Sequence, residues 1–509
     1  MTKEMTSVSS QQLQQSLTDN VQYIQNAVGN SNDVVIRKIE LRKNKPIKAA
    51  IIFTDGLVDS RSLQAFISEA LLWDHDSDIR STDGMESNPL HTLKSRILAV
   101  GDIKDITEFD SLLKNVLSGD AILLLDGYAS GFSIGIRGGK DRGVTESTSE
   151  SVVRGPKESF SENLRTNTSL IRRKIKNPQL WLEMKQIGKV TKTDVAIMYI
   201  KEIVNEQVVK EVHERLDRID IDGILESGYI EEWIQDESYT PFPTVYNSER
   251  PDVIAAELLE GKVAIIIDGT PIVLIVPALF ISFMQASEDY YERADISTLL
   301  RILRFISLFI ALLGPSLYIA VTTFHQEMLP TSLLVSLAAQ REGVPFPAFL
   351  EALFMEIAFE ILREAGLRMP RTIAQAISVV GTLVIGTAAV EAGIVSAGMV
   401  IVVAITAISS FVLPAFAMSM SIRMLRFPMM VLGASFGLFG LLMGLIALIL
   451  HLCSLRSFGI PYMSPFAPLV TQDLKDTLWR VPWKKMNTRV HINQKNIQRQ
   501  KKTSPEPKS

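Results

Sequence analysis

The sequence predicts an α/β (or α+β) soluble N-terminal head of two lobes, followed by an α-helical multipass membrane domain. Three observations carry that expectation. Before about residue 300 the chain is charged throughout, and short apolar strands alternate with amphipathic helices. Between Ile302 and Cys453 lie apolar runs long enough for about 20 helical residues to cross a ~30 Å hydrocarbon core. After Ser464 the chain turns polar and basic.

Composition narrows the function classes. A formal net charge of −4 over 509 residues argues against nucleic acid as a general partner. Cys453 is the only cysteine, which excludes a disulfide framework or a thiolate metal site within one chain. At the end of an apolar helix it is expected to be a small buried residue. The stretch MTKEMTSVSSQQLQQSLTDN lacks the apolar core of a signal peptide, so the head is expected in the cytoplasm.

Residues 1–30 are expected to form a mobile tail running into a short amphipathic helix, from the spacing of Leu13, Leu17, Val21 and Ile24. Lobe 1 spans residues 31–150. It holds a strand at Lys48–Asp55, a helix at Leu63–Leu72, a helix at Phe109–Leu117, and strands at Asp120–Leu125 and Ser133–Arg137 around an Asp126-Gly127 turn. The stretch GIRGGKDRG lacks the Gly-Lys-Ser/Thr ending of a phosphate loop, so it is read as a loop closing the sheet. Lobe 2 spans 151–285, with a helix from about Ser161, a strand at Thr193–Ile203, a helix at Val208–Ile219 capped by Asn205, helices near Tyr229–Ile234 and Asp252–Leu259, and a strand at Val263–Ile267. Arg172, Arg173 and Lys174 read as a solvated face. Thr270–Gln285, broken by Pro271 and Pro277, reads as an interfacial helix or a broken membrane segment.

The membrane domain is placed at 286–463. It opens with a basic amphipathic stretch at the surface, followed by spans at about 305–324, 372–391, 397–418 and 429–453. Gly314 and Pro315 mark a kink in the first span. Residues 346–362 carry Glu351, Glu356 and Glu360, too many carboxylates for a lipid-exposed span, and read as amphipathic or re-entrant. Pairing of Glu360 with Arg363, or Glu364 with Arg368, fits helical spacing. Gly433, Gly437, Gly440 and Gly444 give the last span two overlapping small-residue packing patterns. Four spans return the basic tail, 464–509, to the side of the head but place Arg423 and Arg426 outside. A fifth at 346–362 repairs the arginines and exports the tail.

The stretch TIAQAISVVGTLVIGTAAVE is a poor lipid-facing helix, because Ala, Gly, Ser and Thr interrupt its Ile and Val. Gly381, Val384, Ala388 and Glu391 fall on one face, and Gly386 is expected as a hinge or packing residue that, with Gly381, gives the helix freedom to tilt. That pattern fits a pore-lining helix, in which a ring of Val384 closes the path by dewetting and a ring of Glu391 favours cations. It equally fits tight helix packing with Glu391 just outside the membrane.

No catalytic residue, cofactor site or metal site emerges. The six histidines show no ligand spacing, and there is no nucleophile elbow or Walker lysine. A secondary transporter needs internal repeats and more spans, and no repeat is visible. An ion-conducting subunit and a membrane-anchored scaffold that conducts nothing remain.

Long stretches also resemble one known family. VVRGPKESFSENLRTNTSLIRRKIKNP, RIDIDGILESGYIEEWI, ERPDVIAAELLEGKVAIIIDGTPIVLIVP, LGPSLYIAVTTFHQEMLPTSLL, VVGTLVIGTAAVEAGIVS and HLCSLRSFGIPY are similar to the A subunits of GerA-type spore germinant receptors, within a likeness running roughly from Pro46 to Pro468. The resemblance implies a multipass protein of the spore inner membrane with its head facing the spore core. It implies a transporter-like B subunit that binds the nutrient, a lipoprotein C subunit on the outer face, and a homo-oligomer that opens to monovalent cations. Carried onto this chain, the pore helix matches Thr372–Glu391, with Val384 at the constriction.

Overall fold

The computed structural model describes residues 11–41, 47–71, 102–138, 150, 152–370, 386–489 and 498–499, apart from the side chains of 69–71. The chain divides into two compact units. Unit 1 comprises Met1–Ile234, Asn247–Pro277 and Thr488–Gln500, and unit 2 comprises Gln235–Tyr246, Ala278–Asn487 and Lys501–Ser509.

Unit 1 is built from two five-stranded sheets with the same strand path. In the first lobe, helix α1 (Leu17–Ala27) precedes β1 (Val34–Leu41), β2 (Ile47–Thr54), α2 (Ser60–Leu71), β3 (Asp102–Ile106), α3 (Phe109–Val116), β4 (Ala121–Leu125) and β5 (Gly131–Gly135). Its sheet runs β1-β2-β4-β5-β3 with every neighbour antiparallel. In the second lobe, α4 (Leu164–Lys174) precedes β6 (Leu180–Ile187), β7 (Thr193–Ile200), α5 (Glu206–Asp217), α6 (Ser227–Ile234), β8 (Tyr246–Ser248), α7 (Pro251–Leu259), β9 (Val263–Ile267) and β10 (Val273–Val276). Its sheet runs β6-β7-β9-β10-β8. Among the described residues, the order is the same apart from one helix.

The correspondence reaches single hydrogen bonds. Asn20 donates to the Gln14 carbonyl (2.6 Å) and accepts from its N–H (2.9 Å); Asn167 does the same to Ser161 (2.6 and 2.8 Å). Asp126 accepts from Leu17 N–H at 3.0 Å, and Asp268 from Leu164 N–H at 3.0 Å, so each first helix starts on a carboxylate from the turn after the central strand. The next residue in each turn, Gly127 or Gly269, has φ near +90°, which favours glycine. The tenfold strings SGDAILLLDG (118–127) and EGKVAIIIDG (260–269) carry this duplication in the sequence. The expectation that no repeat exists is therefore corrected.

Three other expectations change in unit 1. Leu13, Leu17, Val21 and Ile24 are buried against Ile52, Ile122 and Leu124 of the sheet, so α1 is a core helix and not part of a mobile tail. The other face of the same strands, Ile51, Phe53 and Leu123, packs on α2 through Phe66. Burial on both faces is why β2 and β4 read as continuous apolar runs. Thr270–Gln285 is neither interfacial helix nor broken span. Its apolar residues form the buried strand β10 and then a buried 3₁₀ turn, Phe280–Met284. Finally, Arg172 is not on a solvated face. It is 0% exposed, with Nε and Nη2 on the two carboxylate oxygens of Asp33 (2.6 and 2.9 Å) and Nη2 also on Ser31 Oγ (2.9 Å), tying the lobes together.

Unit 2 is helical. After α8 (Glu288–Tyr291) come α9 (Ala294–Phe324), α10 (Thr331–Arg341), α11 (Ala348–Arg368), α12 (Gly386–Glu391), α13 (Ala397–Phe411) and α14 (Phe416–Ser454). By length and composition, α9 and α14 can each cross a membrane, and α13 is a shorter apolar helix. The expected span 397–418 is divided, because the chain turns at residues 412–415, around Pro414.

The expected continuous helix 429–453 is also corrected. Gly437 has φ +59° and ψ −142°, outside helical values, and the two halves of α14 fold back on each other there. A Cβ on Gly444 would lie 2.8 Å from Met429 Sδ, and one on Gly433 3.4 Å from Leu441. Residues 15 apart on a straight helix stand about 22 Å apart. Gly433, Gly440 and Gly444 thus pack the legs of one hairpin, where small residues allow close approach. Cys453, near the end of the second leg, is exposed and not the buried small residue expected.

Candidate functional site

The two ends of α9 give unit 2 its axis: an entry end at Ala294, where the chain arrives from Ala278, and a far end at Phe324. The first leg of α14 runs parallel to α9. Arg426 Nε donates to the Ala311 carbonyl (2.7 Å), Gly433 meets the Ser316 carbonyl, and Gly437 meets Phe324 and His325. The second leg returns, since Ser421 on the first leg and His451 on the second bond to the adjacent residues Pro241 and Thr240. Helix α13 runs the other way to α9, with Gly398 beside Tyr318 and Thr406 beside Gly314. A Cβ on Gly314 would stand 2.5 Å from Thr406 Oγ1, so this glycine is a point of close helix approach.

Helix α11 also runs from far end to entry end, held by the carboxylates that made it an implausible lipid-facing span. Glu356 and Arg426 form an ion pair with both side chains buried. Glu360 pairs with Arg423 at 2.8 Å, not with Arg363, whose guanidinium lies over the rings of Phe411 and Phe416. Glu364 pairs with Arg368, as helical spacing suggested. A buried carboxylate is tolerated when a buried arginine neutralises it, here through one oxygen each of Glu356 and Glu360.

Around α12 the far end is pinned. Gly393, at φ +64°, ends the helix against the Gly343 carbonyl, where a Cβ would come within 3.1 Å. Ser396 caps α13 by accepting from Met399 N–H (3.3 Å). Its own N–H donates to Glu351 Oε2 (3.0 Å), and Arg341 stands 3.3 Å from the other Glu351 oxygen. Gln340 accepts from Gly398 N–H (3.2 Å). Gln340 of α10, the Gly343 carbonyl of the loop that follows it, and Glu351 of α11, itself beside Arg341, therefore fix the turn that follows Glu391.

Of the residues singled out in the sequence, Gly381 and Val384 lie outside the described residues. Gly386 is buried, 3.9 Å from Val400 in the sense of an added Cβ, while Ala388 and Glu391 are exposed. Gly314 and Pro315 sit within α9, and Pro315 is buried. Missed entirely were the partners Arg341, Arg423 and Arg426. Counting buried carboxylates against arginines elsewhere in the membrane block would have pointed to them. Among the described residues no group of three or more His, Cys, Asp or Glu is placed to hold a metal.

At the entry end a second cluster forms. Asp289 Oδ2 accepts from Arg301 Nε (3.0 Å) and Arg304 Nη1 (2.6 Å), all three side chains being buried or nearly so. Arg301 reaches Asp476 (2.9 Å), whose other oxygen accepts from Tyr290 OH (2.9 Å). The basic residues of the first turns of α9 thus face inward, correcting the expectation of a basic surface. The tail is structured as well: residues 464–487 belong to unit 2, and in unit 1 Arg489 donates to the Leu259 carbonyl (2.8 Å).

In unit 1, burial pushes the Glu150 carboxyl up to about 7, against the opposing hydrogen bond from Ser248. His213 holds Glu183 below its usual range.

Residues 22–492 match the family model described as Bacillus/Clostridium GerA spore germination protein. The chain is 48% identical over 468 residues to spore germination protein KA of Bacillus subtilis, covering 92% of this chain and 85% of that one. It is 37% identical over 471 residues to spore germination protein GerLA of Bacillus cereus, covering 92% and 94%. A crystal structure of the N-terminal domain of the A subunit of the Bacillus megaterium spore germinant receptor GerK3 aligns at 41% identity and TM-score 0.43, covering 54% of this chain and 99% of that one.

Proposed function

This chain belongs to the GerA spore germination protein family, and from that premise we propose that it is the A subunit of a spore germinant receptor and forms its ion path. It assembles as a homo-oligomer in the spore inner membrane with a transporter-like B subunit, which binds the nutrient, and a lipoprotein C subunit. The carrying observation is the pinned turn after Glu391. Glu351, Arg341, Gln340 and Gly343 hold one end of the Thr372–Glu391 segment against a fixed frame. A pore-lining segment held at one end has a defined lever on which a partner can act.

The helix directions support six crossings. Helix α9 and the first leg of α14 run outward, while α11, α13 and the second leg run back; because α11 ends at the entry end and α12 lies at the far end, a further outward crossing between them is part of the proposal. This count keeps Arg423 and Arg426 in the entry half and returns residues 488–499 to unit 1, from which the chain departed at Pro277. The hairpin at Gly437 supplies the crossing that a straight helix lacks.

Ion flux from vesicles carrying the full chain tests the channel. Val384→Ala is expected to raise basal K⁺ release several-fold, because a smaller ring no longer dewets the path. Wild-type flux in Val384→Ala, with no flux in either protein, favours the alternative reading of a non-conducting scaffold subunit.

A further inference from the structure

We propose that the segment Asp473–Lys485 is a strap that binds anionic phospholipid head groups at the entry-end leaflet. The proposal rests on the membrane reading of unit 2 and adds a lipid site to it. The strap is fastened by its acids. Asp476 is taken up by Arg301 and Tyr290, and the strap backbone is tied to α9 by Arg480 N–H to Thr298 Oγ1 (3.1 Å) and by Arg301 to the Thr477 carbonyl (3.1 Å). Arg480 is enclosed between the Tyr290 and Trp483 rings, at 5.9 and 5.4 Å from their centroids.

With its carboxylates turned inward, the strap presents a different chemistry outward. Lys475, Lys484 and Lys485 are exposed, and Trp479 and Trp483 are 50% and 46% exposed beside them. Beyond the exposed Arg293–Asp295 pair at its start, the outer face of α9 carries Ile296, Leu299 and Leu303, all 45% exposed or more. An apolar helix face with exposed tryptophans and lysines on the strap fastened to its start combines the groups that meet acyl chains, carbonyl region and phosphates at a bilayer surface. The depth agrees. From Ile296 to Phe324, 28 residues of helix rise about 42 Å, the thickness of a bilayer with its head groups. The outward charge is positive, so the occupant is anionic, and the flanking apolar face assigns it to lipid and not to an acidic protein.

The full chain is reconstituted in phosphatidylcholine vesicles containing about 20 mol % phosphatidylglycerol, with one lipid or the other brominated near the head of its chains. Tryptophan quenching is read for the wild type and, to isolate the strap, for W479F/W483F. Brominated phosphatidylglycerol is expected to quench the strap several-fold more per mole than brominated phosphatidylcholine. Each lysine contributes roughly fivefold at an anionic surface, so K475Q/K484Q/K485Q is expected to abolish the preference, as is salt of about 0.5 M in the wild type. Equal quenching by both lipids overturns the proposal. Absent quenching in protein that still floats with the vesicles also overturns it and hands the surface to a protein partner. Protein that fails to float overturns the membrane reading itself.

Discussion

Gly437→Ala separates a hairpin from a straight helix by the sign of its effect. In the middle of a straight helix, replacing glycine by alanine removes a conformational cost and stabilises by about 1 kcal/mol. At φ +59° and ψ −142° alanine enters a region that side chains avoid, and strain there costs on the order of 1–3 kcal/mol. The added methyl would also stand 2.7 Å from His325 Cε1 and 3.1 Å from Phe324 Cβ, so the far end of α9 has to shift. Both terms oppose the hairpin. At roughly 2–4 °C per kcal/mol for a unit of this size, the detergent-solubilised protein is expected to melt about 2–12 °C lower than wild type. The second readout is geometric. In a C453S background, cysteines placed at Phe436 and Phe439 are expected to react with an impermeant reagent from the face opposite to one placed at Lys484. A rise in melting temperature in Gly437→Ala, or labelling of Phe439Cys and Lys484Cys from opposite faces failing to occur, refutes the turn.

The other predictions concern buried charge. Glu356→Gln leaves Arg426 inside the helical unit without its carboxylate and is expected to cost about 3–5 kcal/mol, read as lost membrane abundance; Glu356→Leu with Arg426→Met is expected to recover most of it. Arg172→Met is expected to destabilise by about 3–5 kcal/mol in urea melts followed by Trp181 fluorescence, because Asp33 stays buried unpaired, and Asp33→Asn in the same chain is expected to relieve it. The Glu150 carboxyl titrates near 7 in the folded protein, above its ordinary value near 4.5, so the folded state holds the proton across that window. Stability is therefore fullest below about 4.5 and falls as pH rises to 7, by up to about 3 kcal/mol. Glu150→Gln, which cannot ionise beside Glu249 and Asp252, is expected to flatten that slope in thermal melts across the window.

Local rules made the strands and helices of unit 1 legible wherever one face was wet. Phe109–Val116 was visible from its periodicity, and the Asn205 cap was visible as a residue whose side chain accepts from Gln207 N–H (3.0 Å); Val263–Ile267, buried along its whole length, was legible from its short apolar run alone. Burial without alternation hid others. The run containing β10 was long, apolar and Pro-bounded, so it imitated a membrane element; only its partner β9, paired Val273 to Ile266, distinguishes it. Arg172 was misread for a related reason. Three consecutive cations look solvated by composition, and the one that is buried depends on Asp33, 139 residues away. The duplication was legible in 118–127 against 260–269, but only to a comparison of the chain with itself.

In the helical unit, the conflict met in the sequence was itself the informative signal. Four spans misplaced two arginines and five misplaced the tail, and the six-crossing reading proposed above meets both conditions with an even count. In that reading Phe346–Leu362 supplies one extra pass, its carboxylates meeting Arg423 and Arg426 inside the protein. The remaining pass comes, in the same reading, from a segment already counted once. Among the described residues the stretch from Phe416 to Ser454 is long enough, because 39 residues of straight helix rise about 58 Å, nearly twice a hydrocarbon core. Folding it near the middle gives legs of about 31 and 25 Å. The fold has to fall where a residue tolerates positive φ; Gly433 and Gly437 divide the stretch equally well, and it is Gly437, between Phe436 and Leu438, that adopts φ +59°.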